Sequence, residues 1–148
     1  MSESPENVEV VRSLLLPFGG VNVAKIDWSA EPIRELLEAA CAADVELRTL
    51  ESGVGTGVGD VYRGIDGLVD YLLEWMEPFG EYQIDWLDYV EHGDFVLVPS
   101  TQWGIGGASG VRVELDVTYA CELKNGRITR VLQHDTLEDA RSAVEADG

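Results

Sequence analysis

The sequence has few positive charges, few cysteines and no long apolar run. Its 148 residues include 10 lysines and arginines against 28 aspartates and glutamates, a formal net charge of −18. Because phosphate backbones and anionic lipid surfaces repel that charge, we expect neither nucleic acid nor membrane as a partner. No stretch approaches the roughly 20 apolar residues that a membrane-spanning helix needs. We interpret the acidic residues as a solubilising surface.

The two cysteines, Cys41 and Cys121, are far apart in the sequence and lie in apolar stretches. They are predicted to be reduced and buried, since no C-x-x-C spacing indicates zinc or redox chemistry. The sequence also has no D-x-D-x-D-G loop and no H-E-x-x-H motif, so neither a metal nor a cofactor is expected. The opening residues are acidic and lack the apolar segment of a secretory signal, and a cytoplasmic location is expected by default.

Apolar residues at helical spacing predict three helices in the first half of the chain. These cover residues 5–16, about 31–43 and 64–79, and residues 44–51 alternate like a strand. The stretch SGVGTGVGD, residues 52–60, has glycine at every second position. It matches neither a P-loop nor a dinucleotide-binding fingerprint, and we predict a flexible, lid-like loop.

The second half of the chain changes to the two-residue period of β-strands. Asn125-Gly126 is a strong signal for a hairpin turn, and a short helix is predicted from Thr136 to about residue 145. Early helices followed by antiparallel hairpins predict one α+β domain over residues 1–148, with helices packed on one face of a curved, mainly antiparallel sheet.

Several segments together resemble the SnoaL-like members of the NTF2-like (nuclear transport factor 2-like) superfamily. They are SPENVEVVRSLL, YRGIDGLVDYLLEW, VEHGDFVLV, GASGVRVE, LKNGRITRV and HDTLEDAR. The resemblance covers nearly the whole chain and implies a cone-shaped fold that encloses a deep apolar pocket, in a homodimer. Polyketide cyclases, steroid isomerases and non-enzymatic binding domains share this fold, so it does not name a reaction.

The hairpin turn at Asn125-Gly126 also predicts which side chains share a face of the sheet. A regular two-residue turn pairs Cys121 with Arg130, Tyr119 with Leu132 and Val117 with His134. Directly paired residues lie on the same face. Because the odd positions 111–123 are mostly apolar, that face is predicted to be the concave one, and His134 is predicted to point inward beside Tyr119.

His134 is therefore the candidate acid–base residue, and Tyr119 the candidate donor to a substrate oxygen. The alternatives are a core histidine satisfied by one partner and an aromatic core residue. Arg130 is either a ligand contact near the rim or a snorkelling side chain. The resemblance implies one catalytic aspartate in the steroid isomerases and another in the polyketide cyclases. This chain has Thr49 at roughly the isomerase position and Gln133 near the cyclase position.

The remaining candidate ligand contacts are aromatic and apolar residues that suit a large, flat, apolar molecule. They are Trp28, Tyr62, Trp75, Trp86, Trp103, Val117 and Cys121. Two functions stay open at this point. One is a cofactor-independent cyclase, isomerase or hydratase acting on an aromatic or polycyclic ketone, and the other is a non-catalytic ligand-binding or dimerisation module.

Overall fold

The computed structural model describes residues 5–49 and 61–147, which form helices and a seven-stranded sheet. The helices are α1 (Pro5–Leu15), α2 (Glu31–Ala40), α3 (Gly64–Met76) and α4 (Leu137–Asp147). The strands are β1 (Cys41–Arg48), β2 (Val61–Arg63), β3 (Phe79–Trp86), β4 (Val90–His92), β5 (Phe95–Gly106), β6 (Arg112–Lys124) and β7 (Arg127–His134). The predicted glycine-rich loop, SGVGTGVGD, lies outside the described residues.

The sheet has the strand order β2-β1-β7-β6-β5-β3, with β4 paired to β5. Every neighbouring pair is antiparallel except β1 and β7, which run parallel. Helices α1, α2 and α3 contribute side chains to the main apolar core on one face, and α4 packs on the other face. The predicted α+β fold with a curved, mainly antiparallel sheet is confirmed.

The border between α2 and β1 differs from the prediction. The helix ends at Ala40, and the strand begins at once with Cys41, three residues earlier than expected. The guanidinium of Arg127 donates to the carbonyl oxygens of Glu38, at 2.7 Å, and Cys41, at 3.5 Å. A distant arginine therefore satisfies the backbone where the helix ends, which helical periodicity does not reveal.

The hairpin turn forms as predicted, because Asn125 and Gly126 have φ angles of 55° and 77°. The predicted register, however, is wrong beyond Leu123. Leu123 pairs with Ile128, but the next pair joins Glu122 to Arg130, and Thr129 is left as a bulge. A one-residue shift moves every later side chain of β7 to the other face.

Glu122 gives the physical reason for this bulge. Its carboxylate accepts hydrogen bonds from Thr129 Oγ1 at 2.8 Å and from Arg130 Nε and Nη2 at 2.9 and 3.0 Å. Two consecutive residues of β7 thus reach the same carboxylate on the convex face. As a result Tyr119 pairs with Gln133, and His134 pairs with Thr118. The predictions that His134 and Arg130 share the concave face with Tyr119 are wrong.

Candidate ligand cavity

An apolar cavity of about 150 Å³ lies between the helices and the concave face of the sheet. Its wall is almost entirely aliphatic and aromatic, with two cysteines and two tyrosines. The helical side of the wall includes Val11, Leu14 and Leu15 of α1, Leu36 and Leu37 of α2, and Leu68, Tyr71 and Leu72 of α3. The sheet contributes Cys41, Leu47, Ile84, Trp86, Tyr119, Cys121, Ile128 and Val131.

Trp28 and Trp86 line the cavity with both of their indole nitrogens already bonded. Trp28 Nε1 donates to the carbonyl of Val23 at 3.1 Å, and Trp86 Nε1 donates to the carbonyl of Leu15 at 2.8 Å. These hydrogen bonds hold the two indole rings in the cavity wall, and the Trp86 ring meets the Tyr119 ring edge-on at 5.9 Å. Each indole therefore contributes apolar surface to the wall rather than a free hydrogen-bond donor.

The hydroxyl of Tyr119 ends a chain of buried hydrogen bonds. The amide nitrogen of Gln102 donates to Tyr119 Oη at 2.9 Å and to Ser100 Oγ at 3.1 Å. Ser100 in turn donates to the carbonyl oxygen of Val117 at 2.8 Å, and Tyr82 donates to Gln102 Oε1 at 2.5 Å. Among the described residues none accepts the hydrogen of the Tyr119 hydroxyl. Tyr119 lines the cavity with apolar ring atoms rather than with this hydroxyl.

A second tyrosine, Tyr71 of α3, is also part of the cavity wall. It accepts a hydrogen bond from Gln133 Nε2 at 2.7 Å, and Gln133 lies beside Tyr119 in the β6–β7 register. The Tyr71 ring is fixed by Tyr62, edge-on at 5.4 Å, and by Trp75, stacked at 6.4 Å. Two tyrosines from different elements thus line one apolar space, and the hydroxyl group of each accepts a hydrogen bond from a glutamine amide.

The titratable groups of the described wall are all protonated at neutral pH. Burial raises the pKa of Tyr119 well above its usual value, and nearby Tyr71 raises it further. Burial also raises the pKa of Tyr71, and it raises the pKa of Cys41 and of Cys121 to about 12. These groups can donate hydrogen bonds, but they do not act as bases near pH 7.

The protein family follows from comparison with known proteins. A family model described as a SnoaL-like domain matches residues 28–131. The chain belongs to the SnoaL-like family. No curated protein is a significant match.

Solved structures of low sequence identity share the NTF2-like fold over nearly their whole length. One is TerC, co-crystallised with polyporic acid, at 19% identity and a TM-score of 0.68, covering 95% of this chain and 98% of that one. A second is an NTF2-like protein of unknown function from Burkholderia pseudomallei K96243, at 17% identity, a TM-score of 0.68 and 95% of each chain. A third, from Catenulispora acidiphila DSM 44928 in complex with trimethylamine, has a ketosteroid isomerase-like fold, with 15% identity, a TM-score of 0.63 and coverage of 95% and 96%. The predicted NTF2-like cone is confirmed.

The cavity of this SnoaL-like domain contains some of the predicted ligand contacts and not others. Trp28, Trp86, Tyr119 and Cys121 line it. The remaining candidates, which are not among the lining residues, are Tyr62, Trp75, Trp103, Val117, Arg130 and His134.

The aromatic candidates outside the wall have other partners. The hydroxyl of Tyr62 donates to Glu74 at 2.9 Å, and Trp75 packs between aromatic neighbours behind Tyr71. Trp103 stacks under the guanidinium of Arg112, 4.4 Å from the ring centroid. Val117 is buried on the same face as Tyr119, and its carbonyl oxygen takes part in the hydrogen-bond chain.

His134 lies on the convex side, where α4 packs. Its Nε2 atom is buried and has no hydrogen-bond partner among the described residues. Burial lowers the pKa of His134, and the charges of Asp139 and Asp135 oppose that effect. Arg130 also lies on this side, paired with Glu122 and 5.9 Å from the centre of the Phe95 ring. The geometry separates both residues from the cavity.

We did not predict Tyr71, Ser100 and Gln102 as residues of the site from the sequence. Gln133 was considered only because it lies near the position of the catalytic aspartate of the cyclases. A signal existed on β5, where Ser100 and Gln102 continue the alternate positions of buried Val96 and Val98. Polar residues in register with a buried apolar row need hydrogen-bond partners inside the protein. Among residues 5–49 and 61–147, no cluster of three or more metal-ligating side chains occurs, and no helix is long and apolar enough to cross a membrane.

Proposed function

We propose that this SnoaL-like domain binds a small, neutral, apolar molecule in the cavity. The observation that supports the proposal most is a cavity of about 150 Å³ whose wall is almost entirely aliphatic and aromatic. An apolar protein cavity of about 150 Å³ is known to stay dry and to bind benzene. The volume therefore favours a ligand built around a single apolar ring.

Binding is better supported than acid–base catalysis. Isomerases and cyclases that act by proton transfer need a base near the substrate. The described wall supplies Tyr71, Tyr119, Cys41 and Cys121, whose pKa values are all raised. His134, the acid–base candidate, pairs with Thr118 and points away from the cavity. We therefore favour the non-catalytic ligand-binding function.

Other proteins of this fold give the proposal independent support. TerC was crystallised with polyporic acid, and the Catenulispora acidiphila protein with trimethylamine, so structures like this one hold small organic molecules. These proteins share less than a fifth of their residues with this chain, and their ligands do not name its ligand. Homodimer formation and a cytoplasmic location stay predictions.

A cavity-filling substitution tests the proposal. Val131 lines the cavity from β7, so Val131→Phe places a ring in the space that a ligand would occupy. We expect cyclohexanone to bind the wild-type protein saturably, followed by the fluorescence of Trp28 and Trp86, and to bind Val131→Phe at least tenfold more weakly. Val111→Phe is the matched control, because Val111 is 59% exposed. Equal affinity in wild type and Val131→Phe, with both folded by near-UV circular dichroism, would refute the proposal.

A further inference from the structure

We infer that the ligand is a hydrocarbon, because the cavity wall supplies no hydrogen bond to an oxygen or nitrogen atom on the ligand. The inference rests on the proposed binding function and narrows its ligand class. The site binds a hydrocarbon ring more tightly than an oxygenated ring of the same shape. This selectivity follows from where the protein holds each polar group of the described wall.

Few polar groups belong to the described residues that line the cavity. None of these residues is charged, and none is a serine, threonine, asparagine or glutamine. A thiol is only a weak donor and acceptor, so the two cysteines act as small apolar side chains here. The stronger hydrogen-bonding groups of the wall are the indole nitrogens of Trp28 and Trp86 and the hydroxyls of Tyr71 and Tyr119.

Each of these four groups is bonded to the protein. The two indole nitrogens donate to backbone carbonyl oxygens. The two hydroxyls are held by glutamines that are not lining residues, since Gln133 donates to Tyr71 Oη at 2.7 Å and Gln102 donates to Tyr119 Oη at 2.9 Å. Because the wall is almost entirely aliphatic and aromatic, the tyrosines face the cavity with their rings. The described wall therefore offers a ligand apolar contacts and no hydrogen-bond partner.

A polar group on a ligand would lose its hydrogen bonds to water and gain none from this wall. Burying such a group without a partner is costly, whereas a hydrocarbon of the same shape has no such group. Methylenecyclohexane is the hydrocarbon counterpart of cyclohexanone, with a methylene group in place of the carbonyl oxygen. We expect the wild-type protein to bind cyclohexanone at least about tenfold more weakly than methylenecyclohexane.

The test compares the dissociation constants of these two compounds in the wild type and in wall variants, followed by tryptophan fluorescence. The readout is the ratio of the ketone constant to the hydrocarbon constant, because its change between proteins cancels the intrinsic difference between the compounds. Val131→Thr places a hydroxyl on the wall at nearly the same volume, which gives the ketone oxygen a donor. We expect the ratio to fall about tenfold. Val111→Thr is the matched control, since Val111 is 59% exposed, and its ratio should equal that of the wild type.

Tyr71→Phe and Tyr119→Phe test directly whether a wall hydroxyl reaches the ligand. If either hydroxyl donated to the ketone oxygen, its removal would weaken the binding of the ketone alone and raise the ratio. We expect no rise in either variant. Folding of each variant is checked by its Tm, and the tyrosine variants decide the matter if Val131→Thr does not fold.

Three results would overturn the inference and leave the binding function intact. They are a rise of about threefold or more in either tyrosine variant, an unchanged ratio in folded Val131→Thr, and equal affinity of the wild type for the two compounds. Failure of both compounds to bind the wild type refutes the proposed function, and the inference with it.

Discussion

Gly104 lies under the aromatic rings that hold the hydrogen-bond chain in place, and replacing it by alanine should destabilise the protein. A Cβ atom at this position would lie 2.6 Å from a ring carbon of Tyr82 and 2.8 and 2.9 Å from two ring carbons of Phe79. Tyr82 is fully buried, so its ring has little room to move away. Overpacking of this kind costs about 1–3 kcal/mol. The lower flexibility of alanine in the unfolded chain returns about 0.5–1 kcal/mol.

The expected loss for Gly104→Ala is therefore about 1–2 kcal/mol in the free energy of unfolding, measured by urea titration. Gly107→Ala is the control, because a Cβ there would meet nothing closer than 3.5 Å and its backbone does not have a positive φ. That variant should stay within about 0.5 kcal/mol of the wild type. If Gly104→Ala were as stable as Gly107→Ala, the tight packing of Tyr82 and Phe79 over this glycine would be wrong.

Two predictions concern His134. His134→Leu should leave the affinity for cyclohexanone unchanged, and a tenfold loss of affinity would contradict the position of His134 on the convex face. The free energy of unfolding should stay the same or rise by up to about 2 kcal/mol, because a buried nitrogen with no described partner is removed. Since burial lowers the pKa of folded His134 below its ordinary 6.5, the unfolded chain binds more protons below that pH. The contribution of neutral His134 to the free energy of unfolding should be complete above pH 6.5 and fall as the pH drops toward the folded pKa. The slope of that free energy against pH should be smaller in His134→Leu, and equal slopes would count against this burial effect.

Local signals in the sequence were sufficient to predict the α+β fold. The spacing of apolar residues identifies the helices, and Asn125-Gly126 has the backbone angles that such a turn requires. The border between α2 and β1 lies earlier than predicted because Arg127, from the far end of the chain, donates hydrogen bonds to the backbone there. An interaction between segments so distant in sequence leaves no local pattern.

The bulge at Thr129 shows why the site was harder to predict than the fold. A regular strand would place Ile128 and Val131 on opposite faces, yet both line the cavity. The odd spacing of these two apolar residues was a signal of irregularity, but Leu132 is also apolar and packs with the core beneath α4. Alternation alone could not choose the register, and one shifted residue exchanged His134 for Gln133 on the concave face.

The alternation on β5 indicates that Ser100 and Gln102 are buried and need partners, but it does not identify those partners. Ser100 reaches Val117, and Gln102 reaches Tyr119, only because β5 and β6 pair with Ser100 directly opposite Val117. That register depends on the connection from Gly106 to Val111, which has no turn signal as strong as Asn125-Gly126. The sequence therefore identifies Tyr119 as a candidate, but not Gln102, which donates a hydrogen bond to its hydroxyl.

Magnetisation transfer between a bound ligand and the side chains of the wall is the most direct test of binding in the cavity. Cyclohexanone is added to the ¹³C-labelled wild-type protein, and nuclear Overhauser effects between the ligand and protein methyl groups are recorded by NMR. We predict signals to the methyl groups of Val131 and Leu37, which line the cavity, and none to those of exposed Val111. Saturable binding with signals to Val111 and none to Val131 or Leu37 would contradict binding in the cavity.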